Sequence, residues 1–408
     1  MKKILVLMLA GSALFSCQTS KVQIAVSNDL PQSRSREIVE VPMKKIPKTL
    51  RNPEEIVLTD AQGKALSFQK TYDDKLIFLA NVPGYGVSKY TLAKGTPEKF
   101  PNMAQGRQYP ERLDDMAWEN DLMGFRAYGP ALQKTGEKSF GYDLFIKRGT
   151  EFPVLDTLYA KELDHVTRQR SRDLKKTNPE ESLRLWRSIS YHYDRGHGLD
   201  CYSVGPTLGA GVTALMVGDS IVYPYCYKEY EILDNGPLRF TVKLTFNPEN
   251  YEGQEVVEQR LISLDVGSNL NKSEILYKGL KKEAPIATGF VMHDSPQRIY
   301  ANKGMRILSY TDPTNTADKS NGEIFLGAVF PKKVKVFKKI YFPASKAKKI
   351  KAYGHVVAEN EYKPNEVFTY YFGAGWTKAN MPNQQAWIDY LKSFEQRIDS
   401  PLKVSVQR

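Results

Sequence analysis

Short runs of alternating apolar and polar residues, separated by turn signals, dominate this sequence. The first clear run, "REIVEV", begins at Arg36, and similar runs continue to residue 96. The pattern returns at residue 209, where Gly218-Asp219 and Asn235-Gly236 have the residue types of hairpin turns. Period-two alternation is typical of antiparallel strands with one buried face and one wet face. The chain is therefore predicted to be mainly β, with many antiparallel strands in series.

Breaks in the strand pattern divide the chain into segments. Residues 37–96 are predicted to form a small N-terminal β-sandwich, and residues 97–408 a large antiparallel sandwich. Residues 153–188 lack alternation, and Asn178-Pro179-Glu180-Glu181 resembles a helix start, so a helical insert is expected there. The segment "NQQAWIDYLKSFEQRI" near the end of the chain has its apolar residues at helical spacing.

The first residues have the pattern of an export signal. Two lysines precede an apolar run that is too short to span a bilayer. Ser16-Cys17 then resembles a lipobox, so residues 1–17 are predicted to be a lipoprotein signal peptide with lipidation at Cys17; an ordinary secretory signal is the alternative. Residues 18–36 are predicted to be a flexible tether. Because no acidic residue occurs before Asp29, we expect an exported lipoprotein on the outer membrane, facing the periplasm, with membrane contact through the lipid anchor alone.

The charge balance favours an acidic partner. The formal net charge is +12, and a basic protein outside the cytoplasm is not expected to meet nucleic acid. An acidic poly- or oligosaccharide is the predicted partner. Many of the basic residues lie at 330–351, where the alternative is that these lysines form the solvated face of edge strands.

The cysteines predict neither a disulfide scaffold nor a metal site. Cys201 and Cys226 could form one disulfide in an exported protein or remain buried thiols. Their spacing does not fit a zinc site, and no metal or cofactor is predicted.

Four long motifs carry a resemblance to a known family. They are "ERLDDMAWENDLMGFRAYGPAL", "YHYDRGHGLDCYSVGPTLGAG", "YPYCYKEYEILDNGPLRFTVKL" and "RLISLDVGSNLNKSEI". Together they resemble a lipoprotein family of unassigned function that occurs in Gram-negative bacteria degrading plant and algal polysaccharides. That family is similar in fold to the galactose-mutarotase-like β-supersandwich. The resemblance implies a large antiparallel supersandwich that binds sugars on the concave face of its large sheet, and it leaves the function itself open.

The first motif is rich in side chains that recognise sugars. Carboxylates and guanidinium groups can make paired hydrogen bonds to hydroxyls or to a carboxylate, and an indole offers a flat face to a pyranose ring. The alternative is a buried structural network of ion pairs between the acids and Arg112 or Arg126. The candidate substrate-binding residues in this motif are Arg112, Asp115, Trp118, Glu119, Arg126 and Tyr128.

The second motif is the candidate catalytic segment. His192 and His197 lie close together, and imidazole exchanges protons near neutral pH. Tyr202 could act as a general acid or base, and Arg195 could neutralise a carboxylate. The alternative is that both histidines pack under the neighbouring glycines.

Three further residues are supporting candidates because they fall at strand ends or in loops, where sites gather. They are His293, His355 and Trp376, which we expect to contact substrate. His165, in the helical insert, is expected to lie at the surface.

Three functions fit these residues. The first is a lyase that cleaves a uronic-acid-containing glycan by β-elimination, with a histidine base, Arg195 and Tyr202. The second is a glycoside hydrolase that uses a carboxylate pair such as Asp115 and Glu119. The third is a non-catalytic or mutarotase-like sugar-binding protein.

Overall fold

The computed structural model describes residues 21–148, 152–294, 298–314 and 320–407. The predicted signal peptide and Cys17 lie outside these ranges. The described chain is mainly β with several antiparallel sheets and a small helical content, which confirms the predicted fold class. Within the described ranges, no helix has the length and apolar character needed to cross a membrane.

The strands and helices of the described ranges are numbered here in chain order. The strands are β1 (Lys21–Ser27), β2 (Arg34–Pro42), β3 (Ile56–Thr59), β4 (Phe68–Lys70), β5 (Lys75–Val82), β6 (Val87–Lys94), β7 (Gln105–Tyr109), β8 (Asp115–Glu119), β9 (Met123–Ala127), β10 (Asp143–Lys147), β11 (Gly198–Leu199), β12 (Ala210–Val217), β13 (Ser220–Val222), β14 (Tyr227–Gly236), β15 (Arg239–Phe246), β16 (Glu249–Tyr251), β17 (Gln254–Asp265), β18 (Leu270–Lys278), β19 (Ala284–Met292), β20 (Arg298–Ala301), β21 (Ile307–Asp312), β22 (Ile324–Val329), β23 (Val336–Tyr341), β24 (Gly354–Tyr362), β25 (Phe368–Trp376) and β26 (Lys403–Gln407). The α-helices are α1 (Pro130–Lys134), α2 (Leu155–Glu162), α3 (His165–Leu174), α4 (Pro179–Ile189), α5 (Ala344–Ile350) and α6 (Gln384–Asp399).

A small sandwich is built from two sheets. One has the order β26-β1-β6-β3 and the other the order β2-β5-β4. Ile24, Leu58 and Phe78 are fully buried between them. The segment predicted as a flexible tether contains β1, whose alternate residues point into this core. The sandwich also takes in β26, so it is larger at both ends than the predicted range of 37–96.

The large sandwich stacks a nine-stranded sheet against two five-stranded sheets. The nine-stranded sheet has the order β14-β15-β17-β18-β25-β22-β21-β20, with β16 paired to β17. The others have the orders β11-β10-β9-β8-β7 and β13-β12-β19-β24-β23, and a parallel bridge from Tyr142 to Gly209 connects them. Trp118 stacks on Phe240 with ring centroids 6.4 Å apart, so residues of β8 and β15 share one core.

Strands β8 to β10 bury both of their faces. Met116, Trp118 and Phe125 point into the core, while alternate residues such as Glu119 and Lys147 point the other way, beneath α2. Glu119 accepts hydrogen bonds from the backbone N–H groups at the start of α2, and Lys147 donates to it at 2.6 Å. The second face is therefore polar but buried, because helix α2 of the expected insert packs on it and is hydrogen-bonded to Glu119.

The helical insert consists of α2, α3 and α4. Asn178 caps α4 by accepting from the Glu181 N–H, and Pro179 is its first residue, as the sequence predicted. His165 is exposed at the start of α3.

The C-terminal helix packs on the nine-stranded sheet, and the basic run forms an edge of one five-stranded sheet. Trp387 and Leu391 of α6 pack on Gly327 of β22, where an added Cβ would lie 2.8 Å from each side chain. In the basic run, β23 is the edge strand of its sheet and α5 follows it.

Cys201 and Cys226 are buried free thiols, so of the two states that the sequence allowed the structure has the unpaired one.

Candidate functional site

A buried cluster of charged side chains lies on the covered face of β8 to β10. Arg126 is at its centre, and its Nε donates to Asp143 at 3.0 Å. Its terminal nitrogens lie 3.5 Å from the Asp115 carboxylate and 3.2 Å from that of Asp200. The antiparallel register of β9 and β10 places Arg126 directly opposite Asp143. One guanidinium therefore serves three buried carboxyl groups, and we call these four residues the Arg126 cluster.

Two carboxyl groups of the Arg126 cluster bind protons more tightly than exposed ones do. Burial raises the pKa of Asp115 to about 6, against the opposing effect of Arg126. Burial, together with the negative charge of Asp143, raises the pKa of Asp200 well above its usual value. The cluster therefore holds acidic protons at pH values where an exposed aspartate has lost its own.

Two tyrosines extend the cluster. Tyr128 donates its hydroxyl hydrogen to Asp143 at 3.0 Å. The hydroxyl of Tyr202 is buried and has no hydrogen-bond partner among the described residues. Burial and the negative charge of Asp312 raise the pKa of Tyr202 well above its usual value, so this phenol stays protonated.

His192 is the solvent-accessible neighbour of the Arg126 cluster. Its Nδ1 lies 2.9 Å from the carbonyl oxygen of Asp200, and its side chain is 43% exposed. Since a carbonyl oxygen can only accept, Nδ1 carries the hydrogen of this contact. The neutral ring then has its lone pair on Nε2, for which the described residues provide no hydrogen bond. Asp200 thus fixes the tautomer that can accept a proton from outside.

Tyr191 places a cation near that histidine. Its ring lies 4.5 Å from the ring of His192 and 5.2 Å from the guanidinium carbon of Arg112. Arg112 donates to the Tyr191 hydroxyl at 2.5 Å, while its Nε has no partner among the described residues. Arg112 and His192, which the sequence separates by 80 positions, therefore both adjoin the Tyr191 ring.

Arg195 and His197 occupy different surroundings. Arg195 donates to the carbonyl oxygens of Arg187 and Ser190 at 2.9 and 2.7 Å, so it closes the C-terminal end of α4. His197 is exposed, and its described hydrogen bond involves its carbonyl oxygen, which accepts from the Arg148 N–H. Neither side chain contacts the Arg126 cluster in the described structure.

A second group of polar side chains adjoins Tyr202. His293 Nδ1 lies 2.6 Å from Asp312, and the His293 ring lies 5.5 Å from that of Tyr202. Burial alone would lower the pKa of His293, but the Asp312 carboxylate beside it raises that pKa above its usual value. The Tyr310 hydroxyl donates to Asp294 at 2.6 Å and accepts from the His293 N–H. Tyr202 therefore lies between His293 and the Arg126 cluster.

Four other candidates from the sequence lie in the interior. Trp118 donates its indole N–H to Asn271 within the core, and Trp376 donates to the carbonyl oxygen of Asn321. Both are at most 1% exposed, so neither presents a ring face to solvent. Glu119 is bonded to Lys147 and to the start of α2, as described above.

His355 is also held inside the fold. Its Nε2 accepts from the Leu208 N–H at 3.1 Å. Burial, with a smaller effect of Lys346, lowers its pKa to about 3, so it remains neutral. Its described contacts are those of a packing residue beneath the glycine-rich segment.

The sequence did not single out several members of this site. Asp143 and Asp312 stand in ordinary strand segments. Asp143 pairs with Arg126 of the neighbouring strand β9, whereas Asp312 pairs with His293, which follows β19 of a different sheet. Asp200 and Tyr191 flank the candidate histidine in sequence, and that closeness was the signal available for them. Within the described ranges, no three His, Cys, Asp or Glu side chains are grouped as a metal site would require.

The fold and the site define a β-sandwich protein with a polar centre covered by a helical insert. The chain belongs to the family described as "Domain of unknown function (DUF4861)", whose model matches residues 26–404. The predicted resemblance to a family of unassigned function is confirmed in this general form. Uncharacterized protein P7 of Formosa agariphila is 27% identical over 431 residues, which cover 100% of both chains.

Two solved structures from Enterococcus faecalis also align with most of this chain. One is a protein in the Glycosyl Hydrolase Family 38 and the other is an alpha-mannosidase. Their sequence identities are 8% and 9%, each has a TM-score of 0.47, and each alignment covers 95% of this chain. The chain spans about half of each structure, 47% and 46%.

Proposed function

We propose that the protein is a carbohydrate-active enzyme that cleaves a uronic-acid-containing oligosaccharide by β-elimination. The observation that carries this proposal is the state of His192. Its Nδ1 is held by the carbonyl oxygen of Asp200, and its accessible ring leaves Nε2 as a proton acceptor. A base with a fixed tautomer at the edge of a buried acid cluster is suited to remove a proton from carbon.

Arg112 supplies the cation that this reaction needs. Removal of the proton beside a sugar carboxylate places negative charge on that carboxylate, and a guanidinium can bind it with two parallel hydrogen bonds. Arg112 makes one described hydrogen bond, to Tyr191, and its buried Nε has no partner among the described residues. In this role Arg112 replaces Arg195, whose guanidinium is bound to the end of α4.

Tyr202 is the proposed proton donor. Its phenol is protonated and has no described partner, and its backbone N–H lies 3.4 Å from Asp200 Oδ1. In the proposed step, His192 takes the proton from the carbon beside the carboxylate. The electron pair of that C–H bond forms a carbon–carbon double bond, the neighbouring carbon–oxygen bond breaks, and the leaving oxygen takes the proton of Tyr202.

A glycoside hydrolase is the second candidate, and the Arg126 cluster is the observation in its favour. Burial raises the pKa of Asp115 to about 6 and also raises that of Asp200, which is the direction of shift that a general acid requires. Glu119, the partner suggested by the sequence, is fully bonded to Lys147 and α2. A hydrolase here would therefore pair Asp115 with Asp200.

Ultraviolet absorbance separates these reactions, because elimination creates an unsaturated product and hydrolysis does not. The purified protein is incubated with polyuronate oligosaccharides, and reducing ends are measured in parallel. His192→Gln should lower the elimination rate by about 10²–10⁴-fold, the usual effect of losing a general base. His197→Gln is the matched control, since this exposed ring has no described side-chain bond, and it should keep wild-type activity.

The results that would contradict the proposal are specific. New reducing ends without ultraviolet absorbance would favour the hydrolase. Equal elimination rates for His192→Gln and wild type would remove His192 from the mechanism.

A further inference from the structure

Aromatic side chains and a lysine form a continuous surface strip beside the candidate site. The Phe140 ring stacks on Tyr223, with centroids 5.3 Å apart, and lies 6.0 Å from Tyr225. The ammonium of Lys346 lies 5.3 Å from the centre of the Tyr223 ring and 4.2 Å from that of Phe342. All five side chains are half-buried, and we call them the aromatic–lysine strip.

Lys346 differs from the lysines at the other end of the basic run. Lys335 pairs with Glu361 at 2.6 Å, and Lys338 pairs with Asp219 at 2.8 Å. Lys346 has no carboxylate partner within the described ranges. Burial therefore lowers the pKa of its ammonium without an opposing carboxylate. The two aromatic faces attract the ammonium, yet its three N–H donors have no described acceptor. A half-buried ammonium without an acceptor is suited to bind an anion.

The surroundings of the strip are positively charged. Four exposed lysines of β23, α5 and the residue that follows α5 have no ion pair within the described ranges. They are Lys339, Lys348, Lys349 and Lys351. Their charges add to that of Lys346 and raise the local positive potential. Two exposed tyrosines, Tyr341 and Tyr353, flank the same region at 58% and 45% exposure.

Backbone contacts connect the strip to the candidate site. The Phe140 N–H points at the carbonyl oxygen of Gly205 at 3.4 Å, three residues after Tyr202. Phe342 of the strip donates its N–H to the carbonyl oxygen of Tyr353, and the Tyr353 N–H donates to that of Met292, which precedes His293. The strip therefore borders the segments that carry Tyr202 and His293.

We propose that the aromatic–lysine strip binds an anionic segment of a glycan chain beyond the sugar that occupies the candidate site. The apolar faces of pyranose rings stack on aromatic side chains, and a carboxylate or sulfate ester accepts hydrogen bonds from Lys346. This inference deepens the proposed function, on which its biological meaning rests. It identifies the substrate as a chain of several sugars with repeated negative charge.

Binding of defined polymers to the intact protein tests the strip directly. The probes are a polyuronate, a sulfated neutral glycan and an uncharged glycan, measured by titration calorimetry at two salt concentrations. Lys346→Ala should weaken binding of the preferred anionic polymer by about tenfold, as expected for the loss of one charge-assisted contact. Lys346→Arg should retain most of the affinity, because it keeps the charge.

Lys335→Ala is the matched control. It removes the same charge from the same basic run, but it lies just before β23, about 20 Å from the Tyr341 end of that strand at about 3.3 Å per residue. Its affinity should equal that of wild type. If Lys335→Ala and Lys346→Ala weaken the affinity for the polymer equally, the effect is one of diffuse charge and the proposed binding role of the strip is overturned. Preference for the uncharged glycan, or no binding to any of the three polymers, would also overturn it.

A second measurement separates this inference from the proposed function. Lys346→Ala should raise KM for the polymer by a larger factor than KM for the shortest cleaved oligosaccharide. If the protein binds anionic polymer through Lys346 but cleaves no substrate, the binding role of the strip is supported and the proposed enzymatic function is refuted. If Lys346→Ala and wild type cleave the polymer with the same KM, the proposed enzymatic function is supported and the binding role of the strip is refuted.

Discussion

Replacing Asp115 with asparagine should stabilise the protein at neutral pH. Burial raises the pKa of this carboxyl group from 3.8 to about 6 in the folded protein. A shift of about two units corresponds to about 3 kcal/mol, at roughly 1.36 kcal/mol per unit. Asparagine has nearly the same shape and keeps an oxygen that can accept from Arg126, but it carries no charge at any pH.

The sign of the effect follows from proton binding. Between about pH 4 and pH 6 the folded protein retains the Asp115 proton and the unfolded chain releases it, so the free energy of unfolding falls as pH rises. In Asp115→Asn this carboxyl group is absent, so the free energy of unfolding does not fall for this reason. Its free energy of unfolding should match wild type near pH 4 and exceed it by up to about 3 kcal/mol above about pH 7.

Urea unfolding followed by tryptophan fluorescence across this pH range measures the difference. Asp219→Asn is the control, because that carboxyl group is exposed and Lys338 lowers its pKa. The control variant should lose rather than gain stability at the higher pH. A difference between Asp115→Asn and wild type that stays constant from about pH 4 to pH 7.5, or that favours wild type at the upper end, would refute the assignment of a buried, raised-pKa carboxyl group.

Three further changes probe the packing around the site. Lys147→Met should lower the free energy of unfolding by about 3–5 kcal/mol, because it leaves the Glu119 charge buried and unpaired; denaturant titration measures this, and an unchanged midpoint would contradict it. Cys201 and Cys226 should react with a thiol reagent only after unfolding, since both are buried thiols; mass spectrometry that finds a disulfide would contradict the structure. Gly327→Ala should lower stability by about 1–3 kcal/mol by displacing α6, seen as a reduced melting temperature; an unchanged value would show that the helix yields without cost.

The local sequence pattern predicted much of the architecture. Alternation revealed the strands, and the cap at Asn178 marked the start of α4 within the helical insert. The same alternation is present in "KVQIAVS" at 21–27, and attention to its buried Val22 and Ile24 would have extended the small sandwich into the predicted tether.

The site was harder to predict because both faces of β8 to β10 are covered. Alternation normally separates a buried face from a wet one, but here Trp118 and Arg126 are buried on opposite faces. The cover over Arg126 comes from α2 and Asp200, which are distant in sequence. The pairing of Arg126 with Asp143 depends on the register of β9 and β10, which no local pattern specifies.

The pairing of β1 with β26 has a consequence for the order of folding. Gln23 faces Gln407 across these strands, so the edge of the small sandwich is completed by residues from the far end of the chain. Strand β1 can pair with β6 early, but its other edge stays open until residues 403–407 pair with it. An open strand edge can pair with another chain. Late pairing or loss of the final strand should therefore promote aggregation through β1, even when the large sandwich has already formed.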